Sequence, residues 1–107
     1  MNSSTVETHA ATAVGVQVTG DTLAVELSDG RSISVPIGWY PRLTHATALE
    51  RSHWRLIGGG QGIHWPDLDE DISVDNLLAG SPSGESQTSF NRWLERRKTR
   101  KPRSKRR

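Results

Sequence analysis

Four carboxylates, Asp67, Asp69, Glu70 and Asp71, fall within five positions, and His64 stands three residues before the first of them. Oxygen donors at that density beside an imidazole are ligand types that a hard divalent cation accepts. A metal held there could activate water for phosphodiester hydrolysis. The candidate ligands are His64, Asp67, Asp69 and Asp71, and the reaction class would be that of a metal-dependent nuclease. Against this reading, Pro66 and Leu68 interrupt the acids, and the spacing is not that of an EF-hand loop. If Ile63 and Trp65 face a core, His64 on the same strand faces away from any cavity. A structural role is simpler. Acids just ahead of Ser73 favour the positive end of a helix capped there, and Asp67 can close a turn after Pro66.

The remaining chemistry-bearing patterns are weaker. Gly58, Gly59, Gly60 and Gly62 invite a phosphate-loop reading, but that chemistry needs a Lys and a Ser or Thr opening a helix after the glycines. No Lys follows, and the next segment has the pattern of a strand, so the glycines read as a wide hairpin turn. His45 and His53 have no ligand spacing, and no Ser-His-Asp arrangement is legible. The absence of cysteine excludes a thiol nucleophile, a disulfide framework and a thiolate metal site. No catalytic residue and no cofactor is expected.

Charge is the more informative feature. Residues 90–107 hold ten Lys or Arg and one acid, a net +9, whereas residues 1–89 hold four basic and eleven acidic residues, a net −7; together they make the overall +2. The basic segment can neutralise phosphates and release counterions, which gives salt-sensitive and largely sequence-independent binding of DNA or RNA. Its candidate contact residues are Arg92, Trp93, Arg96, Arg97, Lys98, Arg100, Lys101 and Arg103. Trp93 would stack on a base or pack on protein. Arg100-Lys-Pro-Arg103 is similar to minor-groove arms without their glycine-centred hook. The alternative is a solubilising end that pairs with the acidic body. In that body Arg31, Arg42, Arg51 and Arg55 are expected in surface ion pairs, worth little when exposed.

These residues must be held by elements that the patterning also indicates. Val14, Val16, Val18, then Leu23, Val25, Leu27, then Ile33 and Val35 alternate with polar residues, the signature of three strands with one buried face. Thr19-Gly20-Asp21 turns the first pair and Asp29-Gly30 predicts a type I′ hairpin. Pro41 suits the first position of a short helix. Thr47 and Glu50 have the form of a capping box, and Trp39, Tyr40, Leu43 and Leu49 are expected over the sheet. Trp54–Ile57 and Gly62–Trp65 predict two more strands. Ser73, Asp75, Leu77, Leu78 and Gly80 predict a two-turn helix with its cap and its left-handed terminator. Residues 81–89 are a linker by composition. Phe90, Trp93, Leu94 and Arg97 follow helical spacing behind Thr88 or Ser89 as cap, and Arg100 to Arg107 predicts a disordered arm.

The resulting fold class is α+β: a three-stranded meander plus a second hairpin with two short helices, β-β-β-α-β-β-α, then a basic C-terminal helix and tail. The divisions are a disordered 1–10, a domain over 11–80, a linker over 81–89, and a basic helix and arm over 90–107. One domain of this size buries only about 60% of the surface its unfolded chain exposes, so modest stability or dependence on a partner is expected.

The runs Asp29-Gly-Arg31, Trp39-Tyr-Pro-Arg-Leu43, Trp54-Arg-Leu-Ile-Gly58, Gly62-Ile-His-Trp-Pro66 and Leu68-Asp-Glu-Asp-Ile-Ser-Val74 resemble the small bacterial family known as domain of unknown function 2442. The resemblance spans roughly Ala11 to Gly80. The sequence departs from it at Ala48, where many members have proline, and in its extra glycines between Ile57 and Ile63. It implies a small α+β domain, often encoded beside another small protein in a toxin–antitoxin-like or regulatory pair. It carries no activity to transfer.

Together these readings favour a non-enzymatic binding module. It would be an antitoxin-like or regulatory accessory that pairs with a small neighbouring-gene protein, its basic tail touching nucleic acid or that partner. The alternatives are the nuclease-type enzyme described above and a homodimer formed through edge strands. No apolar run approaches the roughly 20 residues of a membrane span. The start has no secretion-signal pattern, and a cytoplasmic location is expected.

Overall fold

The structure, a computed structural model, describes residues 11–105, with side chains described to Lys98. The expected disordered start, residues 1–10, and the end of the arm, Arg106 and Arg107, lie outside the described residues. Two three-stranded antiparallel sheets, β1-β2-β3 and β4-β5-β6, share one core. The class is α+β, as the alternation and capping signals imply.

The first sheet is the expected meander of β1 (Ala13–Val18), β2 (Thr22–Leu27) and β3 (Ser32–Pro36). Its inner face is set by Leu23, Val25 and Leu27, all buried. Two details differ from the sequence reading. The register slips between Ala13 and Gly15, so Ala13 faces Leu27 while Gly15 faces Glu26. Val14 is the extra residue of a β-bulge and is 57% exposed, leaving Ala13 rather than Val14 in the core. The second difference is the Asp29-Gly30 turn. Only Gly30 has positive φ, at 95°. The Gly30 N–H donates to the Leu27 carbonyl at 3.1 Å and the Leu27 N–H to the Arg31 carbonyl at 2.8 Å. The loop is a three-residue turn ending in a left-handed glycine rather than type I′.

A 3-10 turn over Ile37–Trp39 leads to α1 (Pro41–Thr44) and α2 (Ala48–Ser52). Pro41 occupies the first helical position, and the capping box is complete. The Glu50 N–H donates to Thr47 Oγ1 at 3.1 Å and the Thr47 N–H to Glu50 Oε1 at 2.9 Å. Tyr40 and Leu43 are buried as expected, but Leu49 is 66% exposed. Helix α2 is too short to turn that position inward while Glu50 serves the cap.

The second sheet has one strand more than expected. β4 (Arg55–Ile57) and β5 (Gly62–Trp65) flank a turn of glycines over Gly58–Gly60, and β6 (Glu70–Ser73) pairs with β5. Glu70 and Asp71, read as the approach to a helix, therefore lie in a strand while Asp67 and Asp69 stay in the turn before it; Ile63 stands opposite Ile72 and Trp65 opposite Glu70. Leu68 is tucked fully into the core beneath the connecting turn, and Asp69 takes a left-handed φ of 53°. Helix α3 (Val74–Ala79) follows, capped by Ser73 Oγ, which accepts the Asn76 N–H at 3.0 Å, and ended by Gly80 at φ 75°. Val74 and Leu77 face the core, while Leu78 is largely exposed.

Helix α4 (Gln87–Lys105) starts inside the segment read as linker. Ser86, not Thr88 or Ser89, is its cap: Ser86 Oγ accepts the Ser89 N–H at 3.1 Å. The backbone of residues 100–105 is helical where an irregular arm was expected. Among the described residues, no helix is long and apolar enough to cross a membrane.

Candidate functional site

Helix α4 docks on the body through an apolar pair framed by charge. Phe90 and Trp93 are buried in the common core. Their rings stack with centroids 5.7 Å apart, and His45 tilts against Phe90 at 5.2 Å. The indole of Trp93, 5% exposed, has two guanidinium groups over it, Arg42 at 5.2 Å and Arg97 at 4.7 Å, each a cation–π contact.

Arg42 is the centre of this joint. It is 9% exposed and is the one buried charged residue among those described. Nε donates to Glu85 Oε1 at 3.0 Å and Nη2 to Glu85 Oε2 at 2.6 Å, a fork on one carboxylate. Nη1 donates to the carbonyls of Leu68 at 2.9 Å and Asp69 at 3.2 Å. One side chain on α1 thus holds the β5–β6 turn, the segment before α4, and Trp93 on α4 itself. Ser89 Oγ donates to Glu85 Oε2 at 2.7 Å. The hydrogen bonds from Arg42 hold the Glu85 carboxyl below the usual carboxylate range. Arg42 does not take the expected surface role: the guanidinium is desolvated and each of its three nitrogens has an acceptor. Farther along α4, Arg97 donates to both oxygens of Glu50, at 3.1 and 3.0 Å. Burial pushes Glu50 up, but hydrogen bonds from Arg97 and the Thr47 N–H outweigh it and leave Glu50 below its ordinary value.

Glu70 faces the same joint. Burial raises its carboxyl to about 7; the Arg42 charge opposes the shift, while Glu85, Asp71 and Asp69 add to it. Tyr40 is raised as well, by burial and then by the Glu70 charge, and its buried hydroxyl has no hydrogen-bond partner among the described residues. A carboxyl raised from its ordinary 4.5 to about 7 binds its proton more tightly in the folded than in the unfolded chain. Its contribution to stability is therefore fully present below pH 4.5 and lost as pH rises through 7. Discounted for partial solvation, the loss should reach about 1–2 kcal/mol. Urea midpoints measured between pH 4.5 and 7.5 are expected to fall with rising pH, and Glu70→Gln should flatten the curve. Parallel curves for the two proteins would refute the assignment.

The carboxylates that suggested a metal site are divided among separate partners. His64 Nδ1 bonds Asp71 across β5 and β6. Asp67 instead meets His53 Nδ1 at 2.8 Å, and the Asp69 carbonyl serves Arg42. Among the described residues no three His, Asp or Glu side chains gather where they could hold a metal ion. Arg51 donates to the Leu43 and Thr44 carbonyls, each at 3.0 Å, closing the end of α1.

Of the eight candidate contact residues, Trp93 and Arg97 are engaged in docking α4. Arg92, Arg96 and Lys98 lie on its exposed surface. Lys98 is 3.8 Å from Glu95, and Arg96 acts on Glu85 at longer range. The side chains of Arg100, Lys101 and Arg103 are outside the described set. The part that Arg42, Glu85, Glu70 and Tyr40 play together in this joint was not legible in the sequence. A single arginine placed just after a helix-starting proline was the only local sign of the first.

With this geometry in hand, residues 13–83 match the family described as protein of unknown function (DUF2442). The chain belongs to this family. Arg42 lies inside the matched segment, whereas Glu85 and α4 lie beyond it. A crystal structure of a protein of unknown function from Rhodospirillum rubrum is similar, at 24% identity and a TM-score of 0.63, covering 72% of this chain and 95% of that one. A solution structure of an uncharacterised protein from Chromobacterium violaceum aligns with a TM-score of 0.64 at 18% identity, over 81% of this chain and 82% of that one. Both likenesses concern the fold. No curated protein matches the sequence.

Proposed function

We propose that this DUF2442 protein is a non-enzymatic binding module, an antitoxin-like or regulatory accessory of another small protein, and that α4 is its contact element for polyanions. One observation carries the reading. The helix is fastened to the body by Phe90, Trp93 and Arg97, while Arg92 and Lys98 stay exposed beside the Arg96 position. Cations mounted on a docked helix meet a partner without first paying the ordering entropy of a loose tail. The acidic body, net −7 over residues 1–89 against +9 beyond, offers a complementary surface to a basic protein and turns nucleic acid toward α4 alone.

The full chain is expected to be retained on immobilised heparin at about 0.15 M salt, where only charges within roughly 8 Å act strongly. An Arg92→Gln, Arg96→Gln double variant should elute at clearly lower salt. A double variant at Arg31 and Arg55, which removes the same charge from the body, should elute with the parent. Passage of the parent through the column unretained, or equal shifts for the two variants, would sink the proposal.

A further inference from the structure

We infer that the polyanion engaged by α4 is a double-stranded nucleic acid, held along its phosphates by an arginine stripe and not through its bases; this rests on the reading above. Helical spacing places positions 92, 96, 100 and 103 along one flank of α4, since each step of three or four residues returns to nearly the same side. All four are arginine, and the backbone between them is helical throughout. The flank is about 16 Å long at 1.5 Å per residue. One strand of a duplex presents a charge about every 3.4 Å along its axis, so the stripe runs beside about five phosphates. Guanidinium suits this role because its planar fork grips two oxygens of one phosphate.

The same docking that leaves Arg92 and Arg96 exposed removes the means of binding single strands. Sequence-tolerant binding of unpaired nucleotides needs aromatic faces on which bases stack. The aromatic residues of α4 are Phe90 and Trp93. Both are buried, and the Trp93 ring already carries Arg42 and Arg97. What remains beside Arg92 and Arg96 is a shallow hollow lined by Thr88, Asn91 and Glu95, none of them aromatic. It can meet a charged backbone but offers no stacking platform.

The experiment is fluorescence anisotropy of the full chain with a labelled 20-base-pair duplex and its separated strand, across a salt series. The duplex should bind more tightly than the strand. The plot of log affinity against log salt should have a slope of about −3 to −4, near −0.9 for each of about four phosphates neutralised. Arg92→Gln and Arg96→Gln should each flatten the slope by about one, while Arg31→Gln, an equal change of charge on the far hairpin, leaves it unchanged. Circular dichroism of each variant confirms that α4 is retained. Equal or tighter binding of the single strand overturns the inference, as does equal flattening by Arg31→Gln. Heparin retention without duplex binding overturns it while leaving the binding-module reading intact. Loss of both removes the two together.

Discussion

Replacing Arg42 with alanine is expected to destabilise the protein by about 3–5 kcal/mol, the cost of breaking a buried ion pair from one side. The loss has several parts that act in one direction. Glu85, with a side chain only 11% exposed, keeps its place but loses the fork that holds its carboxyl low. The Leu68 and Asp69 carbonyls lose their donor, and buried acceptors without partners are costly. Trp93 loses a cation from its face. Guanidinium denaturation followed by tryptophan fluorescence gives the size of the effect. The double change Arg42→Met with Glu85→Leu should recover much of the loss, because removing both charges removes the stranded one. A single-variant loss under about 1 kcal/mol would place Arg42 among ordinary surface pairs.

The second large effect belongs to the glycine turn, and two neighbouring positions separate its causes. Gly60 has φ 95°, and a Cβ built there would lie 2.9 Å from both the Ala13 carbonyl oxygen and Thr12 Cβ. Gly59 has φ 68° with nothing within 4 Å of its Cβ position. Gly59→Ala should therefore cost only the left-handed backbone penalty, about 1–2 kcal/mol. Gly60→Ala adds a collision with the start of β1 that no rotamer relieves, for a total of about 2–5 kcal/mol. The two variants, compared by thermal or urea unfolding, should differ clearly. Equal losses would mean that β1 yields, and that the turn does not brace the first sheet.

Features governed by neighbours in the chain were legible from sequence. Thr47 with Glu50, Ser73, Gly80 and Pro41 each act within four residues, and each stands where its local chemistry demands. The alternation of Leu23, Val25 and Leu27 likewise marks β2 without help from the rest of the fold. What stayed hidden depends on distant partners. The strand β6 contains Glu70 and Asp71, residue types disfavoured in sheets; the pairing of Ile63 with Ile72 and the burial of Trp65 and Leu68 override that preference. Arg42 and Glu85 are 43 positions apart, and nothing in either neighbourhood announces the other. The basic segment was visible as charge, but the division of α4 into a docked side and an exposed side required the body against which Phe90 and Trp93 pack.

The bulge at Val14 bears on how the protein behaves when crowded. β1 and β3 are the outer strands of the first sheet, and unpaired outer strands are templates on which other chains can polymerise. On one side, the extra residue breaks the regular ladder just where β1 begins. On the other, β3 ends in Pro36, which has no N–H to offer an incoming strand. Both flanks of the sheet are thus blunted by the backbone itself, so a concentrated solution gains protection against fibrous growth that charge alone would lose at high salt.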